Sequence, residues 1–204
     1  RAAEDGAGVV RPRRPQPFLR GDVAHHLDRA PHVHLRTRLP HHGDGRVLLQ
    51  RRRDDKENGG LWDKSVGGHV QAGETFDAAL IREANEELFG RPDADRVVLV
   101  DDLQAPTADS RPVRASRVRM ELGLRDIRYA ATPGRPVINV TYHAAMYLGR
   151  TVLALADFRP QEDELAGLGY FEPAEVDRML VAGELAPNMA FLWFALGGLA
   201  TRRR

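Results

Sequence analysis

Between residues 75 and 88, apolar side chains return at helical spacing. Phe76, Ala79, Leu80, Ala84 and Leu88 fall on one face, which predicts an amphipathic helix. Thr75 suits its N-cap, Asp77 puts an acid in the first turn, and Gly90 suits its end. Shorter apolar stretches predict strands over residues 32–39, 46–52, 97–100, 138–148 and 164–171. The first two read as a hairpin around the turn at 41–45. Pro173 stands where a first helical turn accepts proline, and a helix is expected from there to about residue 182. A last helix is expected over 188–200, with Phe191, Leu192, Phe194, Ala195 and Leu199 as core candidates. Residues 101–136 are harder to place, and 115–122 read as a short helix. Strands and helices interspersed in this way predict an α/β layered domain. Residues 1–17, rich in Pro, Gly and Arg, read as a flexible arm. Residues 18–200 read as a single domain, with an insertion at about 101–136.

Composition narrows the function. A chain of 204 residues is long enough for one domain with a full core. No apolar run reaches the length of a membrane-spanning helix, so no membrane partner is expected. Without cysteine there is no disulfide, thiolate metal site or thiol nucleophile, which fits a cytoplasmic protein. Residues 1–53 hold twelve arginines against five acids. That excess suits attraction of phosphate-rich small molecules, or simply a solvated surface. The Arg202-Arg203-Arg204 run reads as a frayed segment in preference to a nucleic-acid patch. A homodimer is left open.

The chemistry concentrates in one string. Gly68-His69-Val70-Gln71-Ala72-Gly73-Glu74 is followed, after seven residues, by Arg82-Glu83-Ala84-Asn85-Glu86-Glu87. On a helix Glu83 and Glu87 share one face, with Glu86 beside them. Crowded carboxylates repel one another unless cations neutralise them, and hard oxygen ligands suit Mg²⁺ or Mn²⁺. The glycines before the helix let backbone approach a ligand closely. Arg51 and Arg53, on one side of an expected strand, suit a phosphate clamp. Trp62 reads as core packing beside the loop in preference to a ligand platform.

The spacing of glycine, Glu74, Arg82-Glu83 and Glu86-Glu87 resembles the Nudix box. One departure stands out: Phe89 occupies the place where the box usually carries glycine, and Gly90 follows one residue later. Leu122-Gly123-Leu124 resembles the displaced end of the box. The resemblance implies a Nudix fold, a mixed β-sheet sandwiched between helices in α/β/α layers. It also implies a metal-dependent hydrolase of diphosphate linkages. Glu83, Glu86 and Glu87 would then bind Mg²⁺ or Mn²⁺, Arg82 would orient them, and Glu74 would fix the loop. Gly68 would lie against substrate with Arg51 and Arg53, and Glu83, Glu162 or Glu164 would serve as general base.

The stretch Leu61-Trp62-Asp63-Lys64-Ser65-Val66-Gly67-Gly68-His69-Val70 is similar to the branch that contains type I isopentenyl-diphosphate isomerase. By that likeness His25, His32 and His69 would hold a second, transition-metal ion. The isomerase reaction itself needs a cysteine where this chain has Gly67, and a later glutamate pair that is absent around Val137-Ile138-Asn139. A hydrolase of a small diphosphate, nucleotide or otherwise, is therefore the leading expectation. The alternatives are a non-catalytic module that binds a phosphorylated metabolite, and an isomerase-like enzyme.

Overall fold

The computed structural model describes residues 31–38, 45–128, 138–160 and 165–201. His25, Glu162, Glu164 and the arm at 1–17 lie outside the described residues. Among the described residues, eight strands and three α-helices follow one another. They are β1 (Pro31–Arg38), β2 (Val47–Arg52), β3 (Trp62–Lys64), β4 (Val66–His69), α1 (Phe76–Phe89) and β5 (Val97–Leu99). Then come β6 (Val113–Arg128), β7 (Ile138–Thr151), β8 (Leu165–Phe171), α2 (Pro173–Ala182) and α3 (Pro187–Thr201). A 3₁₀ turn, Leu155–Asp157, precedes β8.

All eight strands join one mixed sheet, ordered β3-β2-β1-β7-β6-β5, with β4 added to β1 and β8 to β2. The centre is a parallel pair, β1 with β7, in register from Pro31 opposite His143 to Arg38 opposite Arg150. Side chains alternate across a strand, so a strand covered on both faces feeds two cores. Leu48, Ala145 and Tyr147 enter the core beneath α1 with Ala79, Leu80, Ala84 and Leu88. Val47, Leu49 and Met146 enter the opposite core with Val176 of α2 and Met189, Leu192 and Trp193 of α3. The layers are therefore α/β/α, as the sequence leads one to expect.

Helix α1 forms for local reasons. The Thr75 hydroxyl accepts from the Ala78 N–H at 3.1 Å, and Gly90 closes the helix in the left-handed region at φ 76°. The Gly90 N–H donates to the Glu86 carbonyl at 2.8 Å. Phe89 packs on Phe158 at 5.8 Å between ring centroids, so the departure from the box fills a hydrophobic edge at the helix exit. Thr75→Ala is expected to cost about 1 kcal/mol of stability by loss of the cap, measurable by denaturant unfolding.

Two expectations need correction. Residues 115–122 form no helix: they lie within β6, which pairs with β7 along nearly its whole length. Val118, Met120, Leu122 and Leu124 alternate with Arg117, Arg119 and Glu121, a period of two that marks a strand. Leu122-Gly123-Leu124 belongs to this strand, and the box helix ends at Gly90. In α3, Phe194 is 85% exposed and Phe191 36%, whereas Met189 and Trp193 are buried beside Leu192. A helix that is apolar all round carries no periodicity to choose its inner face. That face is instead fixed by Trp193, whose Nε1–H donates to Asp177 of α2 at 2.6 Å.

Candidate active site

The site lies where α1 crosses β4. Strand β4 pairs antiparallel with β1, and it carries Gly67 and Gly68 in extended backbone and not in a loop. The absence of side chains here lets α1 approach. A Cβ on Gly68 would stand 2.0 Å from Cδ and 2.1 Å from Oε1 of Glu83. The Glu83 carboxyl thus rests against bare backbone. One turn later, Glu87 accepts a hydrogen bond from the Gly67 N–H at 3.2 Å. The two glycines and the two glutamates meet as matched pairs.

Arg82 organises the rest. Its Nε and Nη2 both reach the Glu74 carboxylate at 3.0 Å, and Nη2 also donates to the His69 carbonyl at 3.0 Å. Its Nη1 lies 2.9 Å from Glu83 and 3.7 Å from Glu86. One guanidinium therefore ties the end of β4, the turn before α1 and two carboxylates of the helix together. Glu74 in turn accepts from the Gln71 N–H at 2.9 Å, which closes that turn. The paired Arg82 holds the Glu74 carboxyl below its ordinary range, and the pairing raises Arg82 further.

The helix carboxylates are poised the other way. Desolvation raises Glu83, opposed by the nearby Arg82. Glu87 is pushed up to about 8, first by desolvation, with Lys64 and the Gly67 N–H pulling it down and Glu83 and Asp63 pushing it up. Glu87 keeps part of its surface open, yet its carboxyl is surrounded by the mass of the fold. Carboxyl oxygens gathered along one helix face, with Glu87 still partly open to solvent, suit a hard divalent cation. Among the described residues, no three His, Asp or Glu side chains already converge on one point. Glu83 and Glu87 both meet β4, at Gly68 and Gly67, and Glu86 stands beside them near Arg82.

Behind Glu87 sits a pair that sequence reasoning missed. Asp63 and Lys64 are 1% and 3% exposed, and the Lys64 Nζ is 3.3 Å from both Asp63 oxygens. Arg52 adds a contact to Asp63 at 3.5 Å. The available signal was two adjacent charges set between Leu61-Trp62 and Val66, a context too apolar for a solvated loop.

The other expected residues are dispersed. Arg51 donates to the Gly60 carbonyl at 3.2 Å and Arg53 to Asp55 at 3.0 Å, so both engage the loop between β2 and β3. His69 is exposed at the end of β4, and the register sets His32 of β1 directly opposite it. Trp62 packs edge-on against Phe171 at 4.6 Å, at the margin of the core beneath α2 and α3.

A layered α/β/α sheet that carries this arginine-braced glutamate helix has the fold and motif of the Nudix hydrolases. Residues 38–190 match the family model of the NUDIX domain, and the chain belongs to that family. It is 29% identical over 156 residues to an isopentenyl-diphosphate Delta-isomerase of Leifsonia xyli subsp. xyli, covering 76% of this chain and 68% of that protein. That likeness falls in the isomerase-like branch indicated by the stretch from Leu61 to Val70. Among solved structures, DR0079 of Deinococcus radiodurans superposes with a TM-score of 0.56 at 22% identity, covering 87% of this chain and 89% of that one. The Nudix hydrolase RenU of M. smegmatis gives 0.54 at 21%, covering 86% and 88%. The NUDIX domain of Shewanella oneidensis NrtR, solved with ADP ribose, gives 0.52 at 15%, covering 85% and 89%. These structures share the fold. Among the described residues, no helix is long and apolar enough to cross a membrane.

Proposed function

We propose that this chain is a Mg²⁺- or Mn²⁺-dependent hydrolase that cleaves a diphosphate linkage in a small phosphorylated metabolite or nucleotide. The observation that carries the reading is the Glu83–Glu87 pair, set against Gly68 and Gly67 and braced by Arg82. Glu83, Glu86 and Glu87 would hold the cation. When bound, it polarises the phosphorus centre and acidifies an attacking water. Arg82 keeps Glu83 and Glu86 oriented while leaving Glu87 on the Gly67 N–H. Glu74 anchors Arg82 and so holds the turn before α1. Glu83, or Glu164 from the segment before β8, takes the proton of the water. Gly68, with Arg51 at the end of β2 and Arg53 just after it, borders the substrate. The NrtR domain solved with ADP ribose supports a nucleotide-type diphosphate. His32 opposite His69 supports a second, transition-metal site, to which His25 would contribute. Residues 18–200 would act as one catalytic domain in the cytoplasm, with residues 1–17 as an arm and about 101–136 as an insertion, whether alone or as a homodimer.

A second reading, an isomerase-like enzyme on isopentenyl diphosphate, is favoured by the curated relative. Product analysis separates the two. The protein is incubated with isopentenyl diphosphate and with a panel of nucleotide diphosphate conjugates, in Mg²⁺ and in excess chelator. Hydrolysis is expected to release phosphate-bearing products in Mg²⁺ and to stop in chelator. An isomerised diphosphate with no bond cleaved would support the second reading. Full hydrolysis in excess chelator would sink the metal assignment.

A further inference from the structure

Lys64 is out of place for an ordinary strand lysine. It is almost wholly buried, and its ammonium faces Asp63 and lies close enough to Glu87 to act on its charge. The reason it fits is Gly67. A Cβ on Gly67 would stand 2.0 Å from Cε and 2.8 Å from Nζ of Lys64. The lysine therefore occupies the space that a side chain at position 67 would take. The backbone N–H of the same Gly67 donates to Glu87. Position 67 thus has a fixed ammonium on its side-chain face and a carboxylate of the site on its amide.

We propose that Lys64 is a positioning residue that sets cation affinity at the Nudix carboxylates, placing its ammonium behind Glu87 in the space left by Gly67. The inference rests on the reading of Glu83 and Glu87 as cation ligands. A resident ammonium competes with a divalent ion for the same negative charge. The free enzyme then holds the ion loosely, and the negative charge of a bound diphosphate makes up the difference. Gly67 is required because any larger residue displaces the lysine head from its buried position.

The test is direct Mg²⁺ binding, not turnover. Isothermal titration at pH 9 compares the wild type with Lys64→Met, which keeps most of the stem and removes the charge. Arg52 still contacts Asp63, so that acid retains a partner. Lys64→Met is expected to bind Mg²⁺ roughly tenfold more tightly, a coupling of ordinary size between neighbouring sites. Gly67→Ala is the second variant, in case Lys64→Met does not fold. It expels the lysine head by volume, and it too is expected to tighten Mg²⁺ binding. Unchanged affinity in the folded variants, or weaker binding, overturns the role of Lys64 and leaves the carboxylate site standing. Absence of Mg²⁺ binding in the wild type and variants alike overturns the cation reading itself, and this proposal with it.

Discussion

Replacing Glu87 by Gln is expected to lower turnover by roughly two to three orders of magnitude, the scale that follows loss of one group aimed at developing charge. The same change is expected to stabilise the metal-free protein. Gln keeps the shape and still offers an oxygen to the Gly67 N–H, so the contact between α1 and β4 survives. What it removes is the cost of a desolvated charge beside Glu83 and Asp63. The pH dependence follows from the direction of the shift. The ordinary value is 4.5 and the folded value is about 8. Between them the folded protein retains a proton that the unfolded chain has released. Its stability therefore falls as pH rises through this window and levels off above it. The variant lacks that group. In chelator its stability advantage over the wild type should be smallest near pH 4.5, grow to about pH 8, and then hold. Thermal unfolding in chelator at several pH values measures it. A variant that is less stable than the wild type but nearly fully active would mean that Glu87 is a structural ion-pair partner, and the active-site assignment would fail.

How far the sequence foretells this arrangement depends on the range of the interactions involved. Helix α1 is legible because its cap, its apolar face and its stop are all local, and the box glutamates sit on it at fixed spacing. Helix α2 is legible for the same reason, from Pro173 at its first turn to the left-handed Gly183 after it. Strand β6 is misread where a run rich in Arg, Met and Leu has good helix propensity, and pairing with β7 overrides it. The inner face of α3 is not encoded by periodicity, and only its packing against α2 selects Trp193 over Phe194. The buried Asp63–Lys64 pair is invisible for a different reason. Its meaning comes from Glu87, distant along the chain and brought near only by the crossing of α1 over β4. Arg51, at the end of β2, and Arg53, just after it, are legible as neighbours on one side of the strand, and their contacts to the Gly60 carbonyl and to Asp55 depend on the fold of the adjacent loop.

Gly68→Ala should separate activity from stability more cleanly than any other change at the site. The added methyl would overlap the Glu83 carboxyl, at 2.0 Å from Cδ. The atoms it meets are the end of a side chain that can swing, so the fold yields without moving backbone. Stability is expected to change little. The carboxyl, however, must leave the position it shares with Glu87, and a displacement on the order of 1 Å in a reacting constellation costs about a hundredfold in rate. Arg82 sharpens the effect, because its Nη1 holds Glu83 at 2.9 Å and the new position must also satisfy that pairing. Gly167→Ala in β8 is the control, since a Cβ there meets nothing within 4 Å. It is expected to leave turnover near the wild-type level. Turnover measured with Mg²⁺, alongside melting temperatures of both variants, checks the contrast. If Gly68→Ala turned over substrate as fast as Gly167→Ala, the Glu83 carboxyl would have no part in the chemistry. The cation would then have to be held by Glu86 and Glu87 alone.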